Sequence, residues 1–488
     1  MTPPLAEGQG MPPTPFAAGK AGRLPSSEVG PLCFSPTHVH RRETARPMMA
    51  PLAPGTPPCG METGFSTNLI VLGAGAAGLF AACRAAEAGL SLLLMERRHR
   101  PGLKLLMCGN NRCNFGHDGT PEQLLRAYGE PVAPFLRQAM RAFPSTEMAH
   151  FLERRGLPVK RLGERFYPAS ERGDDLLHLF TDLLRETQTP VLYQCPAEHI
   201  VPLPEGGFRV EGPKLSLSCR HLLLALGGCS YPQTGSLGDG FLFAQELGLR
   251  ATPPRPGLAA LRLPPQNPLA QLREEVELPW VEARTDNLPP TGGNLLLQQG
   301  TLRGSAVYDM TRKLARNHLP LQNPSLDLLP QLSQEDLARK GEALQRRHGQ
   351  NQALVFNGLG LPRPLAEILA RKGGLPLSLL KEFPLQGAQT RPLKEAIVTV
   401  GGLALEEFDP ATMECRKYPG LYAAGECLDL DGPTGGYNLA AAFATANLAV
   451  HHILEREGGR GIPPRNSLPQ RGKTERDRRG LRNEKKTL

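Results

Sequence analysis

The chain has 488 residues, 40% of them hydrophobic and 21% charged, enough for two or three domains with sizeable cores. No apolar run approaches the roughly 18 residues of a membrane helix, so no spanning helix is expected, and we expect a cytoplasmic protein without a membrane partner. The formal net charge of +9 is uneven: residues 461–488 hold nine Lys/Arg against three Asp/Glu, and the rest is close to neutral. A broad nucleic-acid groove is therefore not expected, nor is nucleic acid as a partner; a small-molecule substrate is.

Residues 1–60 contain 13 prolines and no apolar periodicity, so 1–65 reads as a disordered extension, with Met61 a candidate start. TNLIVL (67–72) is a buried parallel strand, GAGAAG (73–78) a turn, LFAACRAAEAGL a helix ending near Gly89, and SLLLME (91–96) a second strand. Residues 121–188 read mostly as helices, and RHLLLALGG (220–228) as another buried strand ending on glycines. From 250 to 395 proline rises, short strand-like pieces appear and a helical block runs through 333–382, the pattern of an inserted domain. Strand signals return at AIVTVGG (396–402) and GLYAAGE (420–426), and GGYNLAAAFATANLAVHHILE (435–455) closes the fold as a helix. The expected class is α/β: a two-part Rossmann-like domain (66–249 and 396–456), an inserted β-barrel-like plus helical domain (250–395) and a disordered basic tail (457–488).

Each glycine of the fingerprint has a separate duty. Gly73 permits the turn after the strand, Gly75 lets the backbone approach a pyrophosphate, and Gly78 lets the helix pack on the sheet. The anion would sit at the helix N-terminus. Glu96, at the end of the second strand, is placed to accept from ribose hydroxyls. A strand ending on Gly-Gly and a C-terminal strand-Gly-Glu segment favour FAD over NAD. The turn DLDGPTGGYNL (429–439) would direct a helix N-terminus at the flavin's pyrimidine edge.

KLLMCGNNRCNFGH (104–117) is ambiguous. Cys108, Cys113 and His117 supply only three soft ligands where structural zinc normally has four, so no metal is expected. The C-x4-C spacing also suits a redox disulfide. Against it, GLGLPRP (358–364) lacks the third glycine of a second nucleotide-binding domain. A polar loop over the flavin is the third reading. There Arg112 and Asn114 anchor to phosphate or backbone, and Cys113 packs as a small buried thiol.

With RCN (112–114), RFYPAS (165–170), LGGCSYPQTGSLGDG (226–240), RPLKEAIVTVGG (391–402) and GLYAAGECLDLDGPTGGYNLA (420–440), the chain resembles the BaiN/RdsA (YhiN-like) family of FAD-dependent oxidoreductases over about 67–452. The resemblance implies pyrophosphate contacts from Gly73, Ala74, Gly75, Ala76, Ala77 and Gly78, with Glu96 on the ribose. Lys104, Arg112, Cys113 and Asn114 would lie on the segment beside the cofactor, and Ala197 at the adenine. Gly425, Glu426, Asp431, Gly435, Gly436, Tyr437 and Asn438 would surround the ribityl chain and ring. The family usually shows SGGGRCN where this chain has CGNNRCN. The implied activity is hydride transfer through flavin N5 to or from a small organic molecule, with NAD(P)H as transient reductant. A disulfide reductase using Cys108 and Cys113 and a flavin-dependent RNA-modifying enzyme are the alternatives. No catalytic side chain is assigned; Tyr437, Tyr231 and His117 are the candidate acids.

Overall fold

β1 (Ser66–Leu72) sits at the centre of a sheet because its side chains are buried on both faces, Leu69 to Leu72 being at most 1% exposed. The computed structural model describes residues 66–213, 215–371 and 375–458; the expectations for 1–65, and for the basic tail from 459 onward, lie outside them. β1 pairs in parallel with β2 (Leu92–Met95) on one side and β9 (Leu215–Leu224) on the other, Leu72 lying between Met95 and Leu224. β6 (Val191–Leu192) extends the sheet beyond β2. Next to β9 run two neighbours: β8 (Phe208–Gly212), backed by β7 (His199–Pro202), along its first half, and β19 (Leu421–Ala423) along its second.

α1 (Ala76–Glu87) follows β1 and packs on α12 (Tyr437–Arg456) and α6 (Gly173–Glu186). Alanines on α1 and α12 let the helices approach closely. Phe80 fills the junction, its ring 5.1–6.1 Å from those of Phe143, Phe151, Phe180 and Phe443. α2 (Leu103–Met107), α3 (Pro121–Tyr128), α4 (Val132–Ala142) and α5 (Ser145–Arg154) complete this layer, and α7 (Asp239–Leu247) precedes the inserted segment.

The stretch 121–188 is not all helical. β4 (Val159–Leu162) and β5 (Arg165–Pro168) form a hairpin that also pairs with β3 (Gly116–His117). Gly163, at φ +60°, supplies the turn. This hairpin carries RFYPAS to the loop at 108–117.

The inserted segment has its own hydrophobic core between Leu261 and Leu385. Its antiparallel sheet runs β16 (Phe383–Pro384), β15 (Ser325–Asp327), β12 (Val276–Thr285), β13 (Leu288–Gln298), β14 (Thr301–Arg303), β11 (Leu261–Arg262), β17 (Gln389–Thr390). α8 (Ser305–Arg316) packs on that sheet, and α9 (Gln334–His348), α10 (Gln352–Gly358) and α11 (Arg363–Leu369) follow. GLGLPRP joins α10 to α11. AIVTVGG forms β18 (Val398–Leu403), which pairs antiparallel with β10 (Ala251–Gly257), away from the parallel sheet. These two strands link the insert to the first core. No helix among the described residues is long and apolar enough to cross a membrane.

Candidate functional site

A cavity of about 960 Å³ opens at the carboxyl ends of β1, β2 and β9, where open α/β folds bind ligands. Three glycines at this end serve differently. A Cβ on Gly73 would lie 2.5 Å from Ala225 O, and one on Gly78 would lie 1.8 Å from Gly73 O, so both positions are required by close packing. A Cβ on Gly75 would meet nothing within 4 Å; it would project into free space at the cavity wall. The first-turn N–H groups of α1 face this point with the positive end of the helix dipole.

Glu96 ends β2 and is held from both sides: Ala74 N donates to it at 2.8 Å and Arg98 N at 2.7 Å. Burial pushes its carboxyl above the usual range, and those two N–H donors pull it back. Beside it lie Cys195, Pro196 and Ala197. Deeper in, Lys104 donates to Glu426 at 2.5 Å and to Ser230 Oγ at 2.7 Å, while Thr399 N donates to Glu426 at 2.8 Å. The four residues tie α2, the strand-following loops and β18 into one polar network.

The loop after α2 explains the departure CGNN. Gly109, Asn110 and Asn111 all adopt left-handed backbone, at φ 58°, 56° and 66°. After glycine, asparagine tolerates that region best, so Asn110 and Asn111 suit these two left-handed positions. Cys113 is also left-handed (φ 57°) and fully buried, away from the cavity wall. Arg112 pairs with Glu171 and lies 4.8 Å from the Tyr167 ring centroid. Asn114 lines the cavity, 7% exposed, and its Oδ1 has no partner among the described residues. Cys108 and Cys113 are free thiols. Burial pushes the Cys108 thiol up to about 11. Alkylation of Cys108 in the native protein is therefore expected to be slow at pH 8, rising about tenfold per pH unit towards 11. Cys108→Ser is expected to leave turnover unchanged, as a steady-state assay would show.

The opposite wall is the turn before α12. Gly435 and Gly436 have φ +105° and +100°, and a Cβ on Gly436 would lie 2.5 Å from Gly116 O. Asn438 pins the turn, accepting from Gly432 N at 2.9 Å and donating to Gly432 O at 3.0 Å. From α8, Asp309 accepts from Thr434 N at 2.8 Å. Arg312 donates to Asp431 at 3.0 Å, and Arg316 donates to Asp429 at 2.6 Å and also to Asp431.

The structure thus brings Gly73, Ala74, Gly75, Ala76, Ala77, Glu96, Lys104, Arg112, Asn114, Ala197, Gly425, Glu426, Gly435, Gly436 and Asn438 to one cavity. Four others stand back from its wall. Gly78 faces Gly73, Cys113 is packed in the core, and Asp431 is enclosed by Arg312 and Arg316. Tyr437 stacks on His117 at 4.6 Å, with Tyr128 Oη donating to its carbonyl at 2.7 Å. His117 itself is engaged by Gly435 O at 3.0 Å. Of the three candidate acids only Tyr231 lines the cavity. It is joined there by Tyr308, Arg165 and Arg303, which the sequence reading missed. Burial pushes the Tyr308 hydroxyl up to about 12 and raises that of Tyr231. Arg165 and Arg100 line the cavity, and neither forms an ion pair with a described residue.

Fold and site define a Rossmann-like α/β protein with a glycine-floored cavity facing two helix N-termini. The chain belongs to the HI0933-like protein Rossmann domain family, whose match spans residues 67–452. It is 30% identical to a ribosomal RNA dihydrouridine synthase of Escherichia coli (strain K12), over 79% of this chain and 98% of that protein. It is 25% identical to a protein of the same name from Haemophilus influenzae, over 78% and 97%. A 3-dehydro-bile acid delta(4,6)-reductase of Clostridium scindens is 27% identical, over 79% and 98%.

These relatives overturn the expectation that nucleic acid is not a partner, since two of them are named for an RNA. The error lay in reading net charge. RNA recognised one base at a time in a pocket needs stacking surfaces and a few local cations, not a broad basic groove.

Proposed function

We propose that the chain is an FAD-dependent oxidoreductase that saturates the carbon–carbon double bond of a uracil base in ribosomal RNA, with NAD(P)H as reductant. The observation that carries this reading is the match, over 97–98% of their length and 78–79% of this chain, to two relatives named ribosomal RNA dihydrouridine synthase and one named a delta(4,6)-reductase. RNA is preferred over a steroid-like substrate because Arg100 and Arg165 offer unpaired guanidinium groups at the cavity, suited to phosphate or base carbonyl oxygens.

The residues present fit FAD. Gly75 leaves space for a pyrophosphate at the N-terminus of α1, Glu96 retains lone pairs for ribose hydroxyls, and Asn114 Oδ1 is an acceptor without a donor. When bound and reduced, FAD supplies hydride. The chain's own contribution is electrostatic and positional. The N-terminus of α12, held by Asp309, favours negative charge at the ring end of the cavity. Tyr308 and Tyr231 keep their hydroxyl protons at neutral pH because burial disfavours the phenolates, so either Oη can hold the proton that a substrate carbon requires.

Anaerobic titration of the purified protein with NADH and NADPH tests the redox half of this reading. The expected result is a flavin absorbance that bleaches and then recovers on adding unmodified ribosomal RNA. Protein without bound flavin after reconstitution would refute it.

A further inference from the structure

Trp280 is the chain's one tryptophan, and it is 58% exposed. It lies on β12 at the register shift between Leu278 and Val281. One side of its indole covers Gly292 of β13: a Cβ there would lie 2.6 Å from the ring. A glycine at that position lets the ring lie against the sheet, and its other side is left to solvent, with no ring contact to any described residue.

The location gives this exposure meaning. Gly292 shares its face of β13 with Asn294 and Leu296, the alternate residues, and both of these line the cavity. Glu277 and Arg303, on the strands to either side, line it as well. Two residues of strand separate Gly292 from Asn294, about 7 Å. The indole is therefore a flat apolar step on the same wall, next to the residues that line the cavity.

We infer that Trp280 is a stacking platform for a nucleobase neighbouring the uridine that enters the cavity, the partner being single-stranded RNA. The inference rests on the RNA reading above and adds where the polymer runs. A substrate confined to the cavity does not reach Trp280; one that continues past the target base does. Aromatic faces accept any base by stacking, so the platform sets affinity and register more than sequence preference.

The single tryptophan makes the test direct. The FAD-loaded full chain is titrated with a short uridine-containing single-stranded RNA while tryptophan emission and the anisotropy of end-labelled RNA are followed. Emission is expected to fall in step with the anisotropy rise. Trp280→Ala is expected to weaken binding about five- to a hundredfold, with Trp280→Phe retaining most of it. RNA binding with unchanged emission, or Trp280→Ala binding as tightly as the parent, overturns the platform and leaves the RNA reading standing. A protein that neither binds nor reduces the RNA refutes that reading itself. If emission changes with protein concentration alone and sedimentation shows a dimer, a second copy covers the indole and the platform is likewise overturned.

Discussion

Gly75→Val is expected to give a protein that folds and melts like the parent but is purified without flavin. The backbone at Gly75 is extended (φ −81°, ψ −167°), and a Cβ there meets no protein atom within 4 Å. It would instead occupy the space above the first turn of α1, where the proposed pyrophosphate would meet backbone N–H groups. We expect at least about a hundredfold loss of FAD affinity, from losing two or more charge-assisted hydrogen bonds. Equilibrium dialysis against FAD, beside a thermal melt, checks it. Gly78→Val is the contrasting control: its side chain collides with Gly73 O, so it should fail to fold.

Asp431→Ala is expected to cost about 3–5 kcal/mol of stability, measured by denaturant unfolding. Asp431 is fully buried and accepts from both Arg312 and Arg316, so its removal strips the buried Arg312 of its carboxylate and leaves Arg316 with Asp429 alone. Burial already holds the Arg312 guanidinium below its ordinary range. The pairs bridge the turn before α12 and helix α8 of the inserted segment, so the damage should also appear as weaker flavin retention. Asp431→Asn is expected to lose less, because the amide oxygen still accepts one hydrogen bond.

The parts legible in the sequence were those governed by local pattern. TNLIVL and SLLLME are apolar without alternation because both faces of the parallel sheet are covered, and they became β1 and β2 within a residue or two. The tight surroundings of Gly73 and Gly78 and the open space at Gly75 accord with their spacing in the fingerprint. Pairing between distant segments was not legible. RFYPAS became a strand because Gly163 turns the chain back on it, a signal hidden within a helical stretch. AIVTVGG reads as a strand, yet nothing local says that its partner is β10. Asp431 meets its arginines across more than a hundred residues. A hint was present: Asp309, Arg312 and Arg316 recur at three- and four-residue spacing on a helix that otherwise buries Ala306, Val307 and Met310. Charges repeated on a buried face imply partners. Tyr308 carries no such mark, and only the fold shows it at the cavity.

The central claim is tested most directly by incubating the FAD-loaded chain with unmodified ribosomal RNA and NAD(P)H under anaerobic conditions, then digesting the RNA and weighing its nucleosides. The account expects a uridine-derived nucleoside heavier by two hydrogens, its formation dependent on FAD and abolished in Gly75→Val. Uridine left unchanged by a flavin-loaded, NAD(P)H-reducible protein would contradict it.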